Sequence, residues 1–172
     1  MTGAAGTPWT GELERVHANL RALDATVAVA ESLTGGALCA ALTAPAGASS
    51  VVRGGVVVYA TDLKASLAGV PEGLLAVRGA VDPDVAVALA TGVRKRLGAT
   101  YGLAVTGVAG PDPQDGNPVG TVYLSVAGPA GVSQEHHYFT GSRDQIRAST
   151  VQSAVRALSQ ECERAITSLR SP

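Results

Sequence analysis

Residues 26–36, TVAVAESLTGG, decide the fold of this 172-residue chain. The first five are small or β-branched and mostly apolar, which predicts a buried strand over 26–30. Thr34 is then predicted to cap a helix that begins at Gly35 and runs to about residue 44. A buried strand that passes directly into a helix is typical of α/β proteins, where such units build a parallel sheet.

The alternation of strands and helices continues along the chain. Further strands are predicted over 54–60, 101–105, 119–127 and 132–139, the last two joined by GPAG as a hairpin. Further helices are predicted from residue 10, over 61–69, from Asp82–Pro83 to Gly98, and from a capping box of Ser142 and Gln145. This order predicts a three-layer α/β/α sandwich with a mixed, mainly parallel sheet.

Length and patterning indicate one domain over residues 10–170, after a disordered leader over 1–9. No apolar run approaches the roughly 20 residues that a bilayer span needs, so no membrane association is expected. The first residues show no secretion signal, and Cys39 and Cys162 form no CxxC or Cys/His cluster. We therefore expect a cytoplasmic protein without a metal site.

Charge and aromatic content bear on the partner. The net charge is −1 and aromatic residues make up 3% of the chain, whereas a nucleic-acid binder usually shows a basic face with stacking aromatics. No nucleic-acid partner is expected. Only two of the 13 basic residues are lysines, Lys64 and Lys95. Codon bias toward arginine is one explanation of this imbalance; the other is that the chain keeps Lys64 because it needs there an amine that can lose its proton.

Two loops follow predicted strands, where α/β proteins bind small molecules. In the first, AESLTGG, Ser32 lies on the turn before a helix, and Gly35 and Gly36 leave the backbone open. Ser32 is either a nucleophile or, with Thr34, simply a capping residue, and this loop alone does not decide between the two.

The second loop is TGVAGP. Thr106 offers a hydroxyl, and Gly107 and Gly110 open the backbone, which suits a cradle for an anion or an oxyanion. A loop of this kind after a strand is also ordinary, so the alternative is a plain connection.

A nucleophilic serine needs a base. His17, His136 and His137 do not lie where a Ser-His-Asp triad is expected. Lys64 follows the second strand by four residues, so it reaches the same sheet edge as Ser32, with Tyr59 beside it. A lysine base must be neutral near pH 7, which needs roughly 4–5 kcal/mol of differential destabilisation of its charged form and hence a dry site. The alternatives are a solvated surface lysine and an amphipathic tyrosine.

Two arginines, Arg143 and Arg147, lie one turn apart at the start of the last predicted helix. The helix dipole disfavours cations at a helix N-terminus, so the presence of this pair indicates that an anion binds nearby. The alternative is a salt bridge to Asp144 or another carboxylate.

Six segments in this order resemble the CinA C-terminal domain family, which is the nicotinamide-nucleotide amidohydrolase family: AESLTGG, GGVVVYATDLK, GAVDPDVA, AVTGVAGP, NPVGTVY and FTGSRDQIR. The resemblance spans about residues 10–165. It implies hydrolysis of nicotinamide mononucleotide to nicotinic acid mononucleotide and ammonia, with no metal or organic cofactor. It implies Ser32 as nucleophile, Lys64 as base and Tyr59 as an aid to proton transfer.

The resemblance also implies a substrate site at the two loops and the last helix. The expected contacts are Glu31, Thr34, Gly35, Gly36, Thr106, Gly107, Gly110, Arg143 and Arg147. The partner is then a small-molecule nucleotide, and the protein a homo-oligomer, a dimer or a trimer. Two departures bear on activity: Thr61 stands where the family often has asparagine, and Asn117 where it usually has lysine. Two other functions stay open, a nucleotide-binding regulatory module without turnover and deamidation of a different amide.

Overall fold

The computed structural model describes residues 10–170, so the leader predicted over 1–9 lies outside the described residues. The five strands are β1 (Val27–Glu31), β2 (Val52–Val57), β3 (Tyr101–Gly107), β4 (Thr121–Gly128) and β5 (Gly131–Tyr138). The helices are α1 (Thr10–Ala22), α2 (Ala37–Thr43), α3 (Thr61–Ser66), α4 (Glu72–Arg78), α5 (Pro83–Arg96) and α6 (Arg143–Arg170), with a 3-10 turn at Ala48–Ser50.

The strands form one sheet in the order β2-β1-β3-β4-β5. β1 is parallel to β2 and β3, while β4 is antiparallel to β3 and β5. The predicted mixed α/β sheet is confirmed, but only half of the pairings are parallel, so "mainly parallel" was too strong. The reason is the connection from β3 to β4, a loop without a helix, which returns the chain antiparallel at the same sheet edge.

Side-chain alternation along β1 separates the two helix layers. Val27 and Val29 point into a core that α1, α2 and α6 cover. Ala28 and Ala30 point into the opposite core, which α5 covers. The small residues on that second face let α5 approach closely: a Cβ at Gly102 of β3 would lie 2.0 Å from the Ala90 carbonyl oxygen of the helix.

Several local predictions are confirmed and two are corrected. Asp82 caps α5 by accepting a hydrogen bond from the Asp84 N–H, and Ser142 and Gln145 form the reciprocal capping box. The sequence did not predict α4. The helix predicted from Gly35 begins at Ala37, and its N-cap is Gly36, with a φ of 99°, and not Thr34.

The topology brings the carboxyl ends of β1, β2 and β3 to one edge of the sheet. The turn after β1, helix α3 and the loop after β3 therefore meet there. None of the helices described between residues 10 and 170 has the length and apolar character that crossing a bilayer requires.

Candidate active site

Ser32 and Lys64 meet at this edge of the sheet. The Lys64 Nζ lies 3.1 Å from the Ser32 Oγ and 2.8 Å from the Val58 carbonyl oxygen, and it donates a hydrogen bond to each. The turn that carries Ser32 is fixed to the sheet, because the Ser32 N–H donates to the Val105 carbonyl oxygen of β3. The pair predicted from sequence is thus assembled by three adjacent strands.

Lys64 is nearly sealed from solvent, with 1% of the residue exposed. Burial disfavours the charged amine and lowers the pKa of Lys64 from 10.5 to about 8, while the negative charge of Asp115 offsets part of that effect. At neutral pH a usable fraction of the amine is therefore neutral. This amine has both the position and the proton affinity that a base for Ser32 needs.

Tyr59 lies at the rim and not inside the pair. More than half of this residue is exposed, and its hydroxyl accepts a hydrogen bond of 2.9 Å from Arg143. Arg143 also donates to the Gly110 carbonyl oxygen of the loop after β3. The arginine thereby joins the end of β2 to that loop across the mouth of the site. Because Arg143 supplies the proton of this contact, the Tyr59 hydroxyl keeps its own proton for another partner.

A polar cavity of about 110 Å³ opens beside the Ser32–Lys64 pair. Its lining comprises Ser32, Leu33, Tyr59, Lys64, Ala80, Val81, Gly107, Val108, Ala109, Gly110, Asp112, Gln114 and Arg143. This volume equals roughly four water molecules, well below the 300–1,000 Å³ of a pocket that encloses a whole drug-sized ligand. The cavity therefore holds one ring of a ligand, and the remainder has to lie on the rim.

Glu31 and Thr34 are absent from this lining and form the base of the turn. The Glu31 carboxylate is fully buried, and it accepts hydrogen bonds from the Thr34 hydroxyl and from the N–H groups of Gly36, Leu38 and Cys39, at 2.7 to 3.0 Å. These donors belong to the first turn of α2, which otherwise has no intrahelical partners for them. Glu31 therefore orients the residue that follows it, Ser32.

Arg147 is engaged with the protein backbone. Its guanidinium donates to the carbonyl oxygens of Leu33 and Thr34, at 3.1 and 2.9 Å, and lies 3.9 Å from the Asp144 carboxylate. It passes close to Gly35, where a Cβ would lie 3.5 Å from its Nη2. The structure thus gives Arg147 a clamp role on the Ser32 turn and leaves Arg143 as the arginine that lines the cavity.

The loop after β3 also contains both residues that line the cavity and residues that hold the backbone in place. Gly107 and Gly110 line the cavity, whereas the buried Thr106 hydroxyl donates to the Ala80 carbonyl oxygen at 2.7 Å. Asn117 donates to the Val81 carbonyl oxygen at 2.9 Å, so the residue that replaces the family's lysine ties this loop to the 80–81 wall. That residues 80–81 form a wall of the site was not predicted from the sequence. The GAVDP segment contributed to the family resemblance, but its position in the fold was not considered.

Two other features bear on what this site holds. Thr61, the second departure, is the first residue of α3, and in the part of the chain that the structure describes its side chain makes no hydrogen bond to Lys64. Within residues 10–170, no three His, Cys, Asp or Glu side chains lie close enough to hold a metal ion.

A larger cavity, of about 680 Å³, lies at the opposite edge of the sheet, between the β4–β5 hairpin and the last turns of α6. Its lining is mostly aliphatic and contains neither Ser32 nor Lys64. Size alone would favour this cavity, but the serine–lysine pair lines the smaller one.

The fold and the site together define a three-layer α/β protein whose first strand ends in a turn that presents a serine to a buried lysine. The model of the CinA C-terminal domain family matches residues 11–162. This chain belongs to that family, as the resemblance implied.

Relatives agree with this assignment. The chain is 56% identical over 131 residues to a CinA-like protein of Frankia casuarinae and 49% identical over 131 residues to one of Geobacter sulfurreducens. Both alignments cover 76% of this chain but only 30% and 32% of the relatives. The chain therefore spans about a third of the length of these curated relatives.

Solved structures share the fold over their whole length. A CinA-superfamily protein of Klebsiella pneumoniae superposes with a TM-score of 0.86 at 32% identity, over 90% of this chain and 97% of that one. The competence/damage-inducible protein CihA of Agrobacterium tumefaciens superposes with a TM-score of 0.85 at 34% identity, over 91% and 97%.

Proposed function

We propose that this protein is a nicotinamide-nucleotide amidohydrolase, which converts nicotinamide mononucleotide to nicotinic acid mononucleotide and ammonia. One observation carries the proposal: the Ser32 Oγ lies 3.1 Å from the amine of a lysine that is 1% exposed and has a pKa lowered to about 8. A lysine buried without a carboxylate at hydrogen-bond distance is costly to keep, and general-base chemistry explains why this chain keeps it.

In the proposed reaction, neutral Lys64 accepts the proton of the Ser32 hydroxyl while Oγ attacks the carboxamide carbon. The ribosylated pyridinium withdraws electrons from that carbon and makes the amide more electrophilic than an ordinary one. The C–N bond then breaks, and the protonated lysine returns its proton to the leaving ammonia. Water, deprotonated by the same amine, then attacks the acyl carbon; the bond from that carbon to Ser32 Oγ breaks, and the protonated lysine returns the proton to Oγ as the acid leaves.

The negative charge that develops on the carboxamide oxygen needs donors close to Ser32. The Leu33 N–H follows the nucleophile directly, which is the position used in nucleophile elbows. Leu33 lines the cavity, and its N–H makes no hydrogen bond within the described residues 10–170. We therefore assign this N–H to the oxyanion, where a single such donor contributes roughly 3–4 kcal/mol in other amide hydrolases.

The small cavity fits the pyridine ring, and the ribose phosphate then lies over the rim. Arg143 is the cation at that rim, whereas the donors of Arg147 are directed to backbone carbonyls. We accordingly assign the phosphate to Arg143 and the support of the Ser32 turn to Arg147. This refines the expectation from sequence, which placed both arginines on the substrate.

The experiment is release of ammonia from nicotinamide mononucleotide by the purified protein. We expect turnover by the parent, a loss of at least 10³-fold in Ser32→Ala, and unchanged turnover in Ser168→Ala, which alters an exposed serine at the far edge of the sheet. Undiminished ammonia release from Ser32→Ala refutes Ser32 as nucleophile.

The same assay separates the alternatives. Saturable binding of the nucleotide without product indicates a regulatory module. Turnover of other carboxamides in preference to this one indicates a different amidase.

A homodimer or homotrimer stays a prediction, which sedimentation equilibrium tests.

A further inference from the structure

Asp115 connects two walls of the candidate site. Its Oδ2 accepts a hydrogen bond of 2.8 Å from the Ala80 N–H, and its side chain packs against Gly79, where a Cβ would lie 2.8 Å from the carboxylate carbon. Gly79 has a φ of 76°, and Asp115 itself has a φ of 51°, a conformation that aspartate and asparagine adopt more readily than most residues. Both backbones are arranged around this one contact.

The contact continues into the site through Ala80. The Ala80 carbonyl oxygen accepts the Thr106 hydroxyl, and both Ala80 and Val81 line the cavity beside Lys64. Asn117 closes the connection from the other side through the Val81 carbonyl oxygen. Without the Asp115 acceptor, residues 79–81 are held less firmly, and these residues form the wall that a ring bound in the cavity would contact.

We propose that Asp115 is a positioning residue of the amidase: its carboxylate holds the 79–81 wall against the loop after β3, and its negative charge acts on the Lys64 amine. The proposal rests on the proposed function, since it concerns the same site. Asp115 does not itself line the cavity, so it acts through Ala80, which does.

Other titratable or charged groups lie near Lys64, but they do not affect its pKa as Asp115 does. Tyr59, Asp112 and Arg143 line the same cavity, and Asp62 lies on the lysine's own helix. Among these groups and Asp115, it is the charge of Asp115 that favours the protonated amine, which burial otherwise disfavours. Asp115 is itself exposed, so solvent screens its charge and the effect is modest.

The decisive experiment is a ¹³Cε-lysine NMR titration, which needs no turnover. The chain has two lysines, so Lys95 serves as an internal reference. In Asp115→Asn, which keeps an acceptor for Ala80 but loses the charge, the Lys64 midpoint moves down by about 0.3–0.5 pH unit, a two- to threefold change in proton affinity. The control Asp62→Asn leaves the midpoint in place. An unmoved midpoint in Asp115→Asn overturns the electrostatic half of the proposal.

Kinetics test the other half. We expect Asp115→Ala to raise KM about five- to tenfold and Asp115→Asn to restore it to within twofold of the parent, because asparagine keeps the hydrogen bond and tolerates the backbone. Equal KM values in both variants overturn the positioning role. If Asp115→Asn shifts the Lys64 midpoint as expected but the parent releases no ammonia, the proposed function is refuted and the charge effect stands.

Discussion

Lys64 occupies a position that a folded protein ordinarily gives to a leucine or methionine. It is the largest of the fully buried side chains, and its amine has a serine hydroxyl and a carbonyl oxygen as partners. Both partners satisfy the donors of the amine, but neither carries the negative charge that usually accompanies a buried cation. The site therefore holds a larger share of the neutral amine than a solvated lysine does, and the neutral amine is the form able to accept the Ser32 proton.

The rate should follow the proton on this amine. Burial lowers the pKa of Lys64 to about 8, so below pH 8 the neutral fraction falls tenfold with each pH unit. We expect kcat/KM for the nicotinamide nucleotide to rise with pH and to level off above about 8, as measured from pH 5.5 to 9.5. Lys64→Arg keeps the cation at every pH and should be inactive throughout. A flat profile between pH 6 and 8 contradicts Lys64 as the base.

At this scale the sequence predicted that Ser32 and Lys64 meet, but it did not predict the contacts of the residues around them. Ser32 and Lys64 were accessible to reasoning because each follows a strand, and parallel strands deliver their carboxyl ends to one edge. Arg147 was not, because its partners are backbone carbonyls 113 and 114 residues away in the chain. Neither the residue type nor its spacing distinguishes a clamp on a turn from a ligand for phosphate.

At the scale of elements, the helix that carries Lys64 is held in place by α5. Gly92 of α5 lies against the end of the Lys64 helix: a Cβ there would come within 1.7 Å of the Ala68 carbonyl oxygen. Ala68 is fully buried, so the backbone that follows α3 has little room to retreat. This close approach fixes the backbone that follows α3 against α5.

Two glycine substitutions in helices should therefore have opposite effects. Gly92→Ala forces α3 and α5 apart, and we expect a loss of about 2–4 kcal/mol in the free energy of unfolding, together with reduced amidase activity. Gly73→Ala, in α4, has nothing within 4 Å of the new Cβ, and we expect a gain of about 0.5–1 kcal/mol with unchanged activity. Urea unfolding of both variants measures the difference. Equal stabilities would show that α5 does not hold α3.

Element boundaries at the site were the least accessible part of the fold. Thr34 has the residue type of a helix cap, yet its hydroxyl donates to Glu31, and the Glu31 carboxylate caps the first turn of α2 instead. A carboxylate at the end of a buried strand gives no local signal of such a role. By contrast, the caps of α5 and α6 are local in sequence and were predicted correctly.

At the scale of the whole molecule, the candidate site lies at one edge of the sheet, and α1, α2 and α6 form the helix layer on one of its faces. His17 joins α1 to the end of α2, since its Nε2 lies 2.8 Å from the Leu42 carbonyl oxygen. Its Nδ1 is buried without a hydrogen-bond partner within residues 10–170. Sequence reasoning set His17 aside as a catalytic group, and the structure gives it a place in the core.

A proton on that Nδ1 would be a buried charge with nothing to accept its hydrogen bond. Burial lowers the pKa of His17 below 6.5, with a smaller effect in the same direction from Arg21 and an opposing one from the Leu42 carbonyl. The unfolded chain then binds a proton at acidic pH that the folded protein excludes. Stability is therefore complete above about pH 6.5 and decreases as the pH falls, until the lowered pKa of the folded state is reached.

Global unfolding measures this contribution directly. We expect the unfolding free energy of the parent to decrease below pH 6.5 by up to about 1.4 kcal/mol per pH unit more than that of His17→Leu, whose core position does not titrate. The leucine variant also loses the bond to Leu42, but that loss is the same at every pH. The two proteins differ only at residue 17, so the difference between the two curves isolates His17. Parallel curves from pH 4.5 to 8 would mean that His17 is protonated as readily in the folded protein as in the unfolded chain, despite its burial.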